Sequence, residues 1–142
     1  MTHEWIRETP AIWDGSKADV LGDLAPTLFG LGTPQDGDKL GDEWWRVEDD
    51  GAVVGYGRLD ESWGDAEILV LAHPEHRGSG VGTFVLERLE EEAGSRHLNY
   101  IYNVVPRGHP DPDAISGWLA AHGFEHTDVG ELRKRVRSNG VT

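Results

Sequence analysis

The residues with the clearest chemical potential lie in one run, Arg77-Gly78-Ser79-Gly80-Val81-Gly82-Thr83. It follows an apolar stretch, Ala66 to Ala72, and a turn, His73-Pro74-Glu75-His76, in which Pro74 breaks any regular element. It precedes Phe84, Val85 and Leu89, which share one helical face, while Glu87, Arg88 and Glu90 to Glu92 take the wet positions. Strand, glycine-rich turn, helix is an arrangement that binds phosphate. The first N–H groups of a helix lack internal partners and sit at the positive end of its dipole. Glycines let the backbone approach a bulky anion, and Arg77 adds a fixed charge. Two familiar phosphate loops fit poorly. Gly82 is followed by Thr83 with no lysine between, unlike a Walker loop, and the spacing Gly78, Gly80, Gly82 is not G-x-G-x-x-G.

Seven histidines raise the question of a metal: His3, His73, His76, His97, His109, His122 and His126. Only His73 and His76 share a turn, and no H-E-x-x-H or carboxylate-spaced set accompanies them, so no metal ligand is assigned. The two are expected to flank the glycine loop.

The elements that must position the loop fit one domain spanning residues 1–142. A chain of this size buries roughly 70% of its unfolded surface. It has no cysteine, which excludes disulfides, a thiol nucleophile and thiolate metal sites. No apolar run is long enough to span a bilayer and the N-terminus has no apolar leader region, so a soluble, cytoplasmic protein is expected. The formal net charge of −13 repels nucleic-acid phosphates. An acidic surface with only three lysines, Lys17, Lys39 and Lys134, reads either as a salt-adapted surface or as a field that attracts a cationic amine.

Along the chain, residues 3–8 form a short first strand, and Asp14-Gly15-Ser16 caps a helical pattern from Lys17 to Phe29 that Pro26 interrupts. A glycine-rich loop runs from Gly30 to Gly41. Strands Glu43–Glu48 and Ala52–Asp60 are joined at Asp49-Asp50-Gly51, and Ser62-Trp63-Gly64-Asp65 turns into the central strand. Alternation places Val54, Tyr56 and Arg58 on one face of the second strand, and puts Trp44 and Trp45 on opposite faces of the sheet. Leu98–Val105 is a further strand, 106–113 a proline-rich loop and Ala114–His122 a helix ended by Gly123. A hairpin about Gly130 closes the pattern.

The run Arg77-x-x-Gly80-x-Gly82, set in the string from Val70 to Ala93, resembles the acetyl-coenzyme A loop of the GNAT family of N-acetyltransferases, Q/R-x-x-G-x-G/A. Trp118-Leu119-x-x-His122-Gly123-Phe124 resembles the family's second signature, F-Y-E-K-L-G-F. The resemblance covers residues 40–137, and residues 1–39 by position. It implies an α/β fold: a mixed, mostly antiparallel sheet of six or seven strands with about four helices and a splay between the fourth and fifth strands. It implies that Arg77, Gly78, Ser79, Gly80, Val81, Gly82 and Thr83 hold the coenzyme pyrophosphate, and that the pantetheine arm pairs with Val70, Leu71 and Ala72.

The implied function is transfer of an acetyl group from acetyl-CoA to a small-molecule or protein amine by direct attack. The implied partners are acetyl-CoA and that amine, with no metal, nucleic acid or membrane, and with a homodimer left open. Glu67, at the start of the fourth strand, is the implied base, with Asp60, Glu61 and Asp65 as substitutes. A carboxylate enclosed by Trp and Leu side chains would have a raised pKa suited to that role. A backbone N–H near Leu71 or Ala72 would stabilise the oxyanion. The usual tyrosine acid is replaced by Leu119, which cannot donate a proton, so Tyr102 or water takes that role. The same departure supports an alternative, a non-catalytic acyl-CoA binding or sensing domain.

Overall fold

The computed structural model describes residues 3–21, 34–76, 78–104, 112–128 and 130–136. Its strands are β1 (Glu4–Arg7), β2 (Glu43–Asp49), β3 (Ala52–Ser62), β4 (Asp65–Ala72), β5 (Tyr100–Val104), β6 (Glu125–His126) and β7 (Glu131–Arg135). The helices among the described residues are α1 (Gly15–Leu21), α2 (Val81–Ser95) and α3 (Pro112–Ala121), with a single 3-10 turn at Pro74–His76. One seven-stranded sheet has the order β1-β2-β3-β4-β5-β7-β6. All neighbours are antiparallel except β4 and β5, between which α2 makes the crossover. No helix among the described residues is long and apolar enough to cross a membrane.

Strand alternation divides the core in two. Val47, Leu59, Ile68 and Ile101 face α2 and α3, where they meet Val85, Leu89, Leu119 and Phe124. Trp44, Tyr56 and Leu71 face the other way, against Ala11, Trp13, Val20 and Leu21 on and before α1. Trp44 and Trp45 fall in opposite clusters, as a period of two demands. Strict alternation fails at Val54. The register shifts between Val47 and Glu48, so Gly55 and Val53 are paired while Val54 is skipped. This bulge turns Val54 to the α2 side, away from Tyr56, and corrects the expected face.

Two ionic ties hold the layers. Arg96, at the end of α2, donates to both oxygens of Glu43 at 2.6 and 2.8 Å, to Glu61 at 3.2 Å and to Glu92 at 2.8 Å. These bonds raise the Arg96 pKa and hold Glu43 below the usual carboxylate range. On the opposite face Lys17 of α1 is fully buried. Its ammonium lies 2.5 Å from Glu8 and stands 4.8 Å from the Tyr56 ring centroid. An uncompensated charge there would cost several kcal/mol. Asp14 accepts the Lys17 backbone N–H at 2.9 Å and caps α1, as the sequence suggests. The helical pattern beyond Leu21 and the 106–111 part of the proline-rich loop lie outside the described residues.

Candidate active site

The glycine loop is delivered by β4. The His73 N–H bonds Val54 O at 2.8 Å and so extends the β3–β4 hairpin to the edge of the 3-10 turn. Ser79 Oγ donates to the His76 carbonyl. Gly78 and Gly80 have φ of 83° and 88°, a conformation that favours glycine, and Gly80 is the N-cap of α2. No heavy atom lies within 4 Å of where a Cβ would stand on either, so the turn is open to an incoming group. The Phe84 N–H closes on Gly80 O at 3.0 Å. The amides of Val81, Gly82 and Thr83 therefore precede the first helical bond. Gly82 serves another purpose: a Cβ there would meet the Trp118 ring at 3.3 Å, so its absence lets α3 lie across the first turn of α2. Arg77 lies outside the described residues.

Beside this loop the sheet opens. β3 pairs with β4 along its whole length, from Gly55–Ala72 to Ser62–Asp65. β5 pairs with β4 only at Asp65–Tyr100, Ala66–Ile101 and Glu67–Tyr102, while its pairing with β7 continues to Val104. At the fork Asn103 Nδ2 donates to Ile68 O at 2.8 Å, substituting a side chain for the next rung. Val70, Leu71 and Ala72 thus lie on the stretch of β4 that has left β5, and that stretch ends at the glycine loop.

Glu67 sits just before the fork, on the face that carries α1, and it is in register with Tyr102. Its carboxylate is 29% exposed and ion-paired rather than isolated. It accepts from Arg58 Nη2 at 3.0 Å, and Arg58 Nη1 reaches Asp42 at 3.2 Å. Burial pushes the Asp42 carboxyl up against the pull of Arg58, and Asp60 adds to the rise. The Tyr102 phenol is also pushed up, first by burial and then by the charges of Glu67, Glu131, Asp60 and Asp65. A phenol so placed keeps its proton through neutral pH, which suits an acid. Asp60 faces Glu67 across the hairpin, whereas Glu61 is engaged with Arg96 and Asp65 Oδ1 accepts the Tyr100 N–H at 3.2 Å.

Arg58 and Asp42 carry no recognisable signal of a site role in the sequence; Asn103 and His122 stand within or beside motifs, but no role could be read for them there. The His122 ring lies 4.4 Å from the Trp118 ring and its Nδ1 is 2.8 Å from Trp118 O. A carbonyl only accepts, so Nδ1 carries a proton and Nε2 is turned to Thr83 Oγ1 at 3.5 Å. Leu119, in place of the expected tyrosine, is 2% exposed and belongs to the core. Its side chain supplies packing where the signature has a donor.

The chain resembles several characterised proteins. It is 38% identical over 82 residues to the mycothiol acetyltransferase of Geodermatophilus obscurus, a match that takes 56% of this chain and 25% of that one. It therefore spans about a quarter of that relative's length. The ribosomal-protein-alanine N-acetyltransferase of Brucella melitensis superposes with a TM-score of 0.55 at 25% identity, over 68% of this chain and 70% of the other. The PaiA N-acetyltransferase of Thermoplasma acidophilum, crystallised with coenzyme A, shares the fold at a TM-score of 0.55 and 18% identity, over 65% and 59%. The model of the acetyltransferase (GNAT) family matches residues 3–124. That match runs from the residue before β1 through the fork and the glycine loop to Phe124, three residues past α3, and on it the chain belongs to the GNAT acetyltransferase family.

Proposed function

We propose that the protein is an acetyl-CoA-dependent N-acetyltransferase. The observation that carries this reading is the alignment of two openings: the β4 edge freed beyond Glu67 leads straight into the uncapped amides at the start of α2. The pyrophosphate rests on the loop from Gly78 to Thr83, and the pantetheine arm lies along Val70 to Ala72 as an added strand. Coenzyme A in the Thermoplasma neighbour supports the same donor here.

The acceptor enters from the α1 face. Its neutral nitrogen attacks the thioester carbonyl, the C–N bond forms, the C–S bond breaks, and the nitrogen gives up a proton. The sulfur leaves as thiolate and takes a proton to become the coenzyme thiol. Glu67 receives the amine proton. It lies four residues before Leu71, about 13 Å along the strand, so the proton travels through water rather than directly. Tyr102, in register with Glu67 and so at the same remove from Leu71, supplies the acid, also through water. Bringing amine and thioester together accounts for much of the acceleration. Leu119 in the donor position favours one competing reading, a domain that binds acyl-CoA without turnover. Thiol release and acetylated product, measured across a panel of amines, separate the two. Coenzyme binding with no product from any amine would overturn the enzyme reading.

A further inference from the structure

The most exposed large apolar side chain among the described residues is Trp63, at 96% of its free surface. It occupies the tip of the β3–β4 hairpin with φ of 56°, followed by Gly64 with φ of 83°. Two positive-φ residues make a turn that favours Asn-Gly or Asp-Gly, and a tryptophan there is both strained and fully hydrated. It adds nothing to the core. The tip is nevertheless held firmly: Asn99 N–H bonds Gly64 O at 2.7 Å, and Asp65 accepts the Tyr100 N–H at 3.2 Å. With the backbone at the tip fixed, binding through Trp63 costs only the freedom of its two side-chain torsions.

On the hairpin itself the surface leading from Trp63 to the fork is acidic, with Arg135 and Arg133 two strands away opposite Tyr100 and Tyr102. Asp60, Asp65 and Glu67 lie on the α1 face of the hairpin. Arg58 is already shared between Glu67 and Asp42, and Arg133 is stacked on Tyr100 at 4.5 Å. The Tyr102 phenol senses that field, since Glu67, Glu131, Asp60 and Asp65 all raise it. We infer that the β3–β4 hairpin docks a basic, extended polypeptide that carries the acceptor amine, with Trp63 as the anchor for a lysine or arginine of that segment. This rests on the acetyltransferase reading. A guanidinium or ammonium over the indole face gains from the ring quadrupole, and the carboxylates beside it add attraction. A second copy of this chain is a poor occupant, because a net charge of −13 repels its like. Eight residue steps separate Trp63 from Leu71, about 26 Å along the hairpin, so the anchored residue lies roughly eight positions from the acceptor nitrogen.

Trp63→Asn tests this. Asparagine suits the positive φ, so the variant should fold at least as stably as the parent. Binding of a fluorescent dodecapeptide with lysine and arginine at positions seven to nine is followed by anisotropy on the coenzyme-loaded protein, together with acetylation of that peptide and of a tetrapeptide with the same first four residues. The dodecapeptide should bind about tenfold more tightly than the tetrapeptide, and Trp63→Asn should remove that advantage. The tetrapeptide rate and the coenzyme affinity should be unchanged. Equal binding of the dodecapeptide by both proteins overturns the inference, as does a loss of self-association in the variant with peptide binding intact. Coenzyme binding with no turnover of either peptide counts against the enzyme reading alone, and the anisotropy still decides the role of Trp63.

Discussion

Replacing Glu67 by Gln keeps the shape and removes the carboxylate. The side-chain oxygen can still accept from Arg58, whose second nitrogen remains 3.2 Å from Asp42. Arg58 and Glu67 are 15% and 29% exposed, so the lost ionic component is worth about 1 kcal/mol or less in stability. The kinetic effect should be far larger. A positioned general base contributes roughly 10²–10⁴-fold, or about 3–5 kcal/mol of barrier. A fall in kcat of that size cannot come from partial unfolding at a cost of about 1 kcal/mol. Coenzyme affinity, measured by calorimetric titration, should be unaltered. The acidic limb of the pH–rate profile should vanish, because it reports titration of the base. The alkaline limb should move to lower pH. Glu67 is the second cause of the raised Tyr102 pKa, after burial, so without its charge the phenol loses its proton sooner. Near-normal turnover would refute the assignment, and a parallel loss of coenzyme affinity would make Glu67 structural.

Three further outcomes are expected. Gly80→Asp should weaken coenzyme A binding at least tenfold beyond Gly80→Ala in calorimetric titration; both variants carry the same strain at φ 88°, about 1–2 kcal/mol, and only one brings charge to the pyrophosphate. Arg96→Gln should lower stability to urea by about 1–3 kcal/mol at neutral pH, through loss of its charged bonds to Glu43, Glu61 and Glu92. Glu43 is held below its unfolded value of 4.5, so its share of that stability is present above pH 4.5 and is lost as pH falls through the folded value; the gap between the two proteins should narrow in acid. Raising potassium chloride to molar levels should lift the thermal midpoint if the net charge of −13 is a self-repelling surface, and a flat midpoint would favour attraction of a cationic acceptor.

Much of this was legible in the chain because it depends on local rules. The glycines at positions 78 to 82 announced a turn into a helix, the Ile–Leu–Val run announced β4, and Pro74 marked the turn between them. The fork was legible only through resemblance. What makes it is Asn103 capping Ile68, a contact between residues 35 apart that no spacing in the sequence encodes. Arg58 and Asp42 escaped for the same reason, since their meeting with Glu67 depends on the register of the meander. Alternation misplaced Val54 because a bulge leaves no mark in a period-two pattern. Leu119 looked like a lost catalytic group and is also a core residue, a role that hydrophobicity alone could have suggested.

The burial of Lys17 bears on how this protein could be re-engineered. The described part of α1, Gly15–Leu21, buries Lys17, Val20 and Leu21. It is fastened by one ammonium that needs Glu8 from the first strand's exit, Asp14 from its own cap, and the ring faces of Trp44 and Tyr56 from two other strands. The α1 layer is therefore not a cassette. A segment grafted in from a relative with a different acceptor would carry either a cation without its cage or a cage without its cation. A transplant that keeps its parent's specificity would have to move all five positions together.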